Sequence, residues 1–274
     1  MLTPERGHYV EVLGLRTFYL QAGAGQPVVL LHGSSPGACS LIHWKHNLDA
    51  LVEAGFAVYA YDQPGFGYSD NPTDYSMDAT VAHARAFMAA FNLTGCHLVG
   101  SSLGSEIAVR VALADPGVGR LVLAAASTIA PLGSPASAER AQHHGRELRE
   151  FVPGLENMRR LSLGTLYNPA LVTQELVQAR HEMSIGKNYE AQTRRREVPR
   201  PPPIHDALGE LRSKTLVVWG KNDRGAMPER ALLLFDLIPD AELHLFDQAA
   251  HWVQWDQAHR FNRVVVDFLS DAGR

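Results

Sequence analysis

The chain has 274 residues, 46% hydrophobic and 20% charged, with 25 Lys and Arg against 29 Asp and Glu for a formal net charge of −4. So even a mixture lacks the basic footprint of a nucleic-acid reader, and the apolar content excludes a disordered chain. A chain this long buries about 75% of its unfolded surface and needs neither a disulfide nor a metal staple.

In chain order, Tyr9–Val12 and Thr17–Leu20 are predicted as a small hairpin around Gly14. The run Val28–His32 is continuously apolar, as expected of a strand buried on both faces. Phe56–Tyr61 is a second such run, preceded by helical spacing at Leu48, Leu51 and Val52. Cys96–Gly100 and Leu121–Ala126 follow, with Ile107, Val111 and Ala114 at helix spacing between them. Thr215–Gly220 and Ala241–Phe246 complete eight strands, and Phe261–Leu269 reads as a closing helix. Strands separated by helix-length crossovers predict an α/β fold, a mostly parallel eight-stranded sheet flanked by helices.

From about Pro131 to Pro203 no strand is expected, only helix-forming segments punctuated by Pro153-Gly154, Asn168-Pro169 and Pro199–Pro203. This block reads as an inserted helical cap, giving core 1–130, cap 131–206 and core 207–274. Its basic cluster, Arg194-Arg195-Arg196 with Arg200, reads as a solvated return segment. The two cysteines, Cys39 and Cys96, form no C-x-x-C pair and are expected to be reduced thiols. Met1-Leu2-Thr3-Pro4-Glu5-Arg6 has no basic region followed by an apolar core, and no apolar run reaches the ~20 residues of a membrane span. The expectation is a soluble cytoplasmic protein without a membrane partner.

The sharpest chemical signal is Gly100-Ser101-Ser102-Leu103-Gly104, a G-x-S-x-G pattern between a predicted strand and a predicted helix. That context is the one a nucleophile elbow requires, with Ser102 lifted above the sheet at a helix N-terminus. A serine hydroxyl needs a base, and the base needs an orienting acid. For this elbow the chain order is serine, acid, histidine. Asp223 follows the strand Thr215–Gly220, and His251 follows the strand Ala241–Phe246, so both lie beyond strand C-termini, where open α/β sheets place their sites. Asp247 is the rival acid, but it lacks its own strand end, and Asp223 is preferred. The loop from His32 to Gly37 can aim the backbone N–H of Ser34 at the nucleophile, pairing with that of Leu103 as an oxyanion hole. His32 itself reads as a structural residue orienting this loop.

With these residues in hand, the chain resembles the α/β-hydrolase superfamily over nearly its full length. More narrowly it is similar to meta-cleavage product hydrolases, which break a carbon–carbon bond in ring-fission products of aromatic compounds. The narrower resemblance rests on His32-Gly33-x-x-Pro36-Gly37-Ala38, Asp62-x-Pro64-Gly65-Phe66 and Trp219-Gly220-x-x-Asp223-Arg224. It rests also on His251-Trp252-x-Gln254-Trp255, on Phe261-Asn262 and on Glu175-Leu176-x-Gln178-x-Arg180. It implies Ser102, Asp223 and His251 as the triad, with Arg180 descending from the cap onto the substrate's carboxylate end. Trp252, Ser101, His43 and Gly33 are implied as further substrate contacts. Taken alone, Arg180 could equally be a helix-surface residue near Glu175 or Glu182. The chain departs from the family where Asn usually precedes the nucleophile (Ser101) and in the loop after the oxyanion segment (His43). It departs also at Ala250, where Gly is usual, and at Thr165, where an aromatic is common.

The implied reaction is hydrolysis of a 2-hydroxy-6-oxo-2,4-dienoate without metal or organic cofactor, by a homodimer or higher homo-oligomer where subunits associate. A carboxylesterase or lactonase of the same fold is the alternative, needing the triad but no carboxylate-gripping arginine. A ligand receptor on a hydrolase scaffold would not need the intact triad. An epoxide hydrolase or dehalogenase would carry Asp in place of Ser102.

Overall fold

The computed structural model describes residues 4–271; the first residues read for a leader and the outermost ends of segments 1–130 and 207–274 lie outside the described residues. β1 (His8–Val12) and β2 (Leu15–Ala22) form the hairpin, closed by Leu13 and Gly14. Both turn residues have positive φ, 50° and 75°, the twist that two-residue hairpins favour. There follow β3 (Gln26–Leu31), α1 (Ser40–His43), α2 (Leu48–Glu53), β4 (Phe56–Tyr61) and α3 (Met77–Ala90). β5 (His97–Ser101), α4 (Leu103–Ala114) and β6 (Leu121–Ala124) complete the first half.

After β6 come four helices in succession, α5 (Pro135–Arg149), α6 (Leu155–Thr165), α7 (Gln174–Glu182) and α8 (Lys187–Glu197), with no strand among the described residues. β7 (Thr215–Gly220), α9 (Glu229–Leu237), β8 (Ala241–Phe246), α10 (Val253–Asp256) and α11 (Ala258–Ser270) then close the fold. The strands pair in the order β1-β2-β4-β3-β5-β6-β7-β8. β2 runs antiparallel to both neighbours, and every other pairing is parallel.

Period-two alternation sends side chains to two cores. Val28 and Leu30 face the layer of α2 and α11, while Val29 and Leu31 face that of α3, α4 and α9. On α11, Phe261, Val265, Phe268 and Leu269 recur at helical spacing and are buried, each contributing about 1.5–3 kcal/mol. Cys39 and Cys96 are free and buried. Among the described residues no helix is long and apolar enough to cross a membrane.

The basic cluster is only in part the solvated segment its sequence suggested: Arg194 and Arg200 are exposed, but Arg195 and Arg196 are not. Arg195 and Arg196 on α8 are half-buried, Arg195 lying 4.1 Å above the Phe66 ring and donating to Pro64 O at 2.9 Å. Arg196 donates to Leu148 O and Phe151 O. Guanidinium groups that cap carbonyls and stack on rings serve as struts, which a charge count alone cannot reveal.

Candidate active site

Parallel pairing brings the C-terminal ends of β3, β5, β7 and β8 to one edge of the sheet, and the predicted chemical residues sit just beyond them. Ser102 joins β5 to α4 with φ 53° and ψ −115°, a strained backbone for a residue with a side chain. The flanking glycines are steric necessities. A Cβ on Gly100 would stand 2.4 Å from Gly104 O, and one on Gly104 only 2.0 Å from Leu31 O. The elbow therefore folds only where both positions lack a side chain.

Leu103 is the first residue of α4, so its N–H is one of those a helix N-terminus leaves free. On the facing loop, a Cβ on Gly33 would lie 3.3 Å from Ser102 Cβ and 3.6 Å from His43 Cε1. The loop predicted to hold an oxyanion thus runs directly over Ser102, with Ser34 next in the chain. His32 is buried; its Nδ1 donates to Gly33 O at 2.7 Å, and its Nε2 accepts from Gln63 N at 3.0 Å. Burial pushes His32 down to about 4, so at neutral pH it is an uncharged brace for this loop.

Beyond β7 and β8, His251 Nδ1 meets Asp223 Oδ2 at 2.8 Å. Asp223 Oδ1 accepts from the N–H groups of Gly225 and Ala226, both at 2.9 Å. Burial by itself would raise this carboxyl, but the His251 charge and hydrogen bond, with the two N–H groups, outweigh it and leave the carboxyl below its ordinary value. Asp247, the rival acid, is exposed and pairs with Lys221 at 3.3 Å. A residue that sequence reasoning did not single out, His144 of α5, stands 6.1 Å ring to ring from His251. It is seated on Gly225, where a Cβ would come within 2.6 Å of its ring.

Arg180 is fully buried on α7, and among the described residues it pairs with neither predicted acid. Glu175 reaches Lys45 at 3.7 Å, and Glu182 accepts from Gln178. The guanidinium donates instead to Ser162 Oγ at 2.8 Å, Ser35 Oγ at 3.3 Å and Pro36 O at 3.1 Å, and lies 4.6 Å over the Trp252 ring. Burial lowers its basicity, yet an arginine stays protonated at neutral pH. His43 is buried edge-on to Trp252 at 5.1 Å, with Nε2 2.9 Å from Gln254 Nε2. Burial above all, with repulsion from the cationic forms of His32 and His251 and from Arg180, holds it well below the usual histidine range. Four buried polar atoms on these predicted site residues and on Gln254 have no protein partner: Ser101 Oγ, His43 Nδ1, Gln254 Oε1 and Arg180 Nε. Among the described residues no three His, Cys, Asp or Glu side chains converge as a metal site.

The family model for the alpha/beta hydrolase fold matches residues 26–258, and the chain belongs to that family. It is similar along nearly all of its length to meta-cleavage product hydrolases. A 2-hydroxy-6-oxononadienedioate/2-hydroxy-6-oxononatrienedioate hydrolase of Dechloromonas aromatica is 33% identical, covering 94% of this chain and 92% of that protein. A 2-hydroxy-6-oxo-6-phenylhexa-2,4-dienoate hydrolase of Comamonas testosteroni is 34% identical, covering 92% and 90%. A solved meta-cleavage product hydrolase of Pseudomonas fluorescens, a serine-to-alanine variant complexed with acetates, has a TM-score of 0.88 at 32% identity, across 99% of this chain and 100% of that one.

Proposed function

We propose that the chain cleaves a carbon–carbon bond in a 2-hydroxy-6-oxo-2,4-dienoate, with Ser102 as nucleophile, His251 as base, Asp223 as its orienting acid and residues 131–206 as the cap over the site. The observation that carries the reading is Arg180. A guanidinium has five N–H donors. Three hydrogen bonds to Ser162, Ser35 and Pro36 leave two donors, Nε–H among them, for a carboxylate. A buried cation without a protein counter-charge is costly, and a carboxylate-bearing substrate supplies that counter-charge. Each unpartnered polar atom costs about 1–3 kcal/mol unless a ligand or water meets it, and Ser101, His43, Gln254 and Arg180 each carry one. Relatives along nearly the whole chain are named for substrates of this class.

The residues assembled here suit the following chemistry. The dienol first ketonises, its hydroxyl proton moving to the carbon beside the remote carbonyl. His251 takes the Ser102 proton as the oxygen attacks that carbonyl, and the N–H groups of Ser34 and Leu103 hold the oxyanion. Collapse breaks the carbon–carbon bond. Its electron pair passes into the conjugated 2-oxo system, and protonation releases a 2-hydroxydienoate while the acyl group stays on Ser102. Water activated by His251 then frees the acid. Arg180 anchors the carboxylate throughout, with Trp252, His43, Ser101 and Gly33 around that end.

The test is spectroscopic. Coloured alkyl and aryl ring-fission dienoates are mixed with the protein, alongside an aryl acetate. Bleaching of a dienoate that disappears in Ser102→Ala is the expected result. Rapid ester cleavage with no dienoate bleached would assign an esterase instead.

A further inference from the structure

Asp256, the last residue of α10, accepts from backbone N–H groups on two separate parts of the chain. Oδ2 takes Ala250 N at 2.9 Å and Tyr167 N at 2.9 Å, and Oδ1 takes Tyr167 N at 3.0 Å and Asn168 N at 3.1 Å. Ala250 immediately precedes His251, and its carbonyl oxygen is wedged against β7, 2.2 Å from where a Cβ on Gly220 would be. Tyr167 and Asn168 follow the end of α6, and a second tie runs from Trp252 N to Thr165 O at 3.3 Å. α6 also carries Ser162, which accepts from Arg180 and is itself fixed by donating to Met158 O at 2.8 Å. One carboxylate thus links the loop of the base to the helix that seats the guanidinium.

We propose that Asp256 is a positioning residue that sets the distance between the anion grip at Arg180 and the catalytic base at His251. The proposal rests on the dienoate reading above. A conjugated dienoate is a stiff rod whose carboxylate and remote carbonyl stand a fixed distance apart. Both ends must be in place at once, and a displacement of about 1 Å costs on the order of a hundredfold in rate. An aryl acetate has only the reacting end, so it does not sense that distance.

The test compares kcat and KM of Asp256→Asn and Ser162→Ala on a dienoate and on an aryl acetate, with folding checked by thermal unfolding. For each variant kcat on the dienoate should fall about 30- to 100-fold, and kcat on the ester less than about fivefold. The double variant should be scarcely worse than the worse single one, because both act along one path. Equal losses on the two substrates would reduce Asp256 to a brace of the His251 loop and overturn the proposal. So would an unchanged dienoate rate, or fully multiplicative losses in the double variant. Should Asp256→Asn not fold, Asp256→Glu keeps the charge while shifting the tie, and the same dienoate-selective loss is expected. A wild-type protein that bleaches no dienoate overturns the functional reading and this proposal with it, whereas equal losses in an active protein overturn this proposal alone.

Discussion

Arg180→Gln tests the proposed anion recognition apart from the rest of the site. On that reading, the wild-type guanidinium offers two free donors to a carboxylate once Ser162, Ser35 and Pro36 are served. Hydrogen bonds to a charged group contribute about 1.5–3 kcal/mol each, so the pair is worth roughly 3–6 kcal/mol. At about 1.4 kcal/mol per factor of ten, kcat/KM for a dienoate should fall on the order of 10² to 10⁴. An aryl acetate, which carries no carboxylate, should lose less than about fivefold. The fold should tolerate the change, because the lost hydrogen bonds are offset by removal of a buried charge that has no counter-ion; the unfolding midpoint should move by less than about 5 °C. Stopped-flow bleaching of the dienoate and release of the phenol from the ester, read on the same preparations, give both ratios. Proportional losses on the two substrates would refute the argument, since they would mean that Arg180 supports the site as a whole and does not grip the substrate.

Ser102→Ala should abolish turnover of dienoate and ester alike, by at least about a thousandfold, with binding retained in a dienoate titration. Asp223→Asn should cost about 10⁴ in kcat, because the amide can no longer hold His251 Nδ1–H; a loss below tenfold would dismiss Asp223 as the orienting acid. Gly104→Ala drives a methyl group to 2.0 Å from Leu31 O and should destabilise the fold by more than about 3 kcal/mol in a denaturant titration; a wild-type midpoint would contradict the packing argument. His32 is held down to about 4 by burial, so the native state binds fewer protons than the unfolded chain between that pH and the ordinary histidine value. Its stability contribution is therefore complete above pH about 6.5 and lost as pH falls toward 4, by about 3 kcal/mol in all. His83 and His97, also lowered by burial to about 4, act in the same direction. Denaturant titrations across this range should show a shallower decline in His32→Gln than in wild type, and parallel curves would exclude the assignment.

The central strands of the sheet were legible because burial on both faces writes them as apolar runs, while β8 at the edge, with Glu242 and His244, is only partly buried. Phe56–Tyr61, Thr215–Gly220 and Ala241–Phe246 appear with the expected bounds. Elsewhere the ladder moved an end: the run expected at Val28–His32 begins at Gln26 and stops at Leu31, since Gln26 already pairs with Phe56. Leu121–Ala126 shortens to Ala124, where Ala125 turns out with φ 46°. The elbow and the acid and histidine after their strands were readable from punctuation, because glycine and strand ends have local signatures. Asp256, Ser162 and His144 were not. A carboxylate that collects N–H groups from residues more than eighty positions away leaves no local pattern, and neither does a serine buried beneath a guanidinium. Gln254 was visible within a motif, but its place beside His43 depended on how α10 packs on α1.

The segment between β6 and β7 is a crossover that any parallel pair of strands requires, here lengthened into four helices. Its root is fastened to α9 by Arg230, which donates to the carbonyls of Ser127, Ala130 and Pro131, and by Glu229, which accepts from Ser134. On the function proposed above, bond breaking and substrate choice reside on different stretches of the chain. Ser102, Asp223 and His251 sit on loops that follow strands of the sheet, and Arg180 sits on a helix between β6 and β7. On that reading, the helices between β6 and β7 can change to suit another substrate while the root contacts of Arg230 and Glu229 and the cutting residues stay in place.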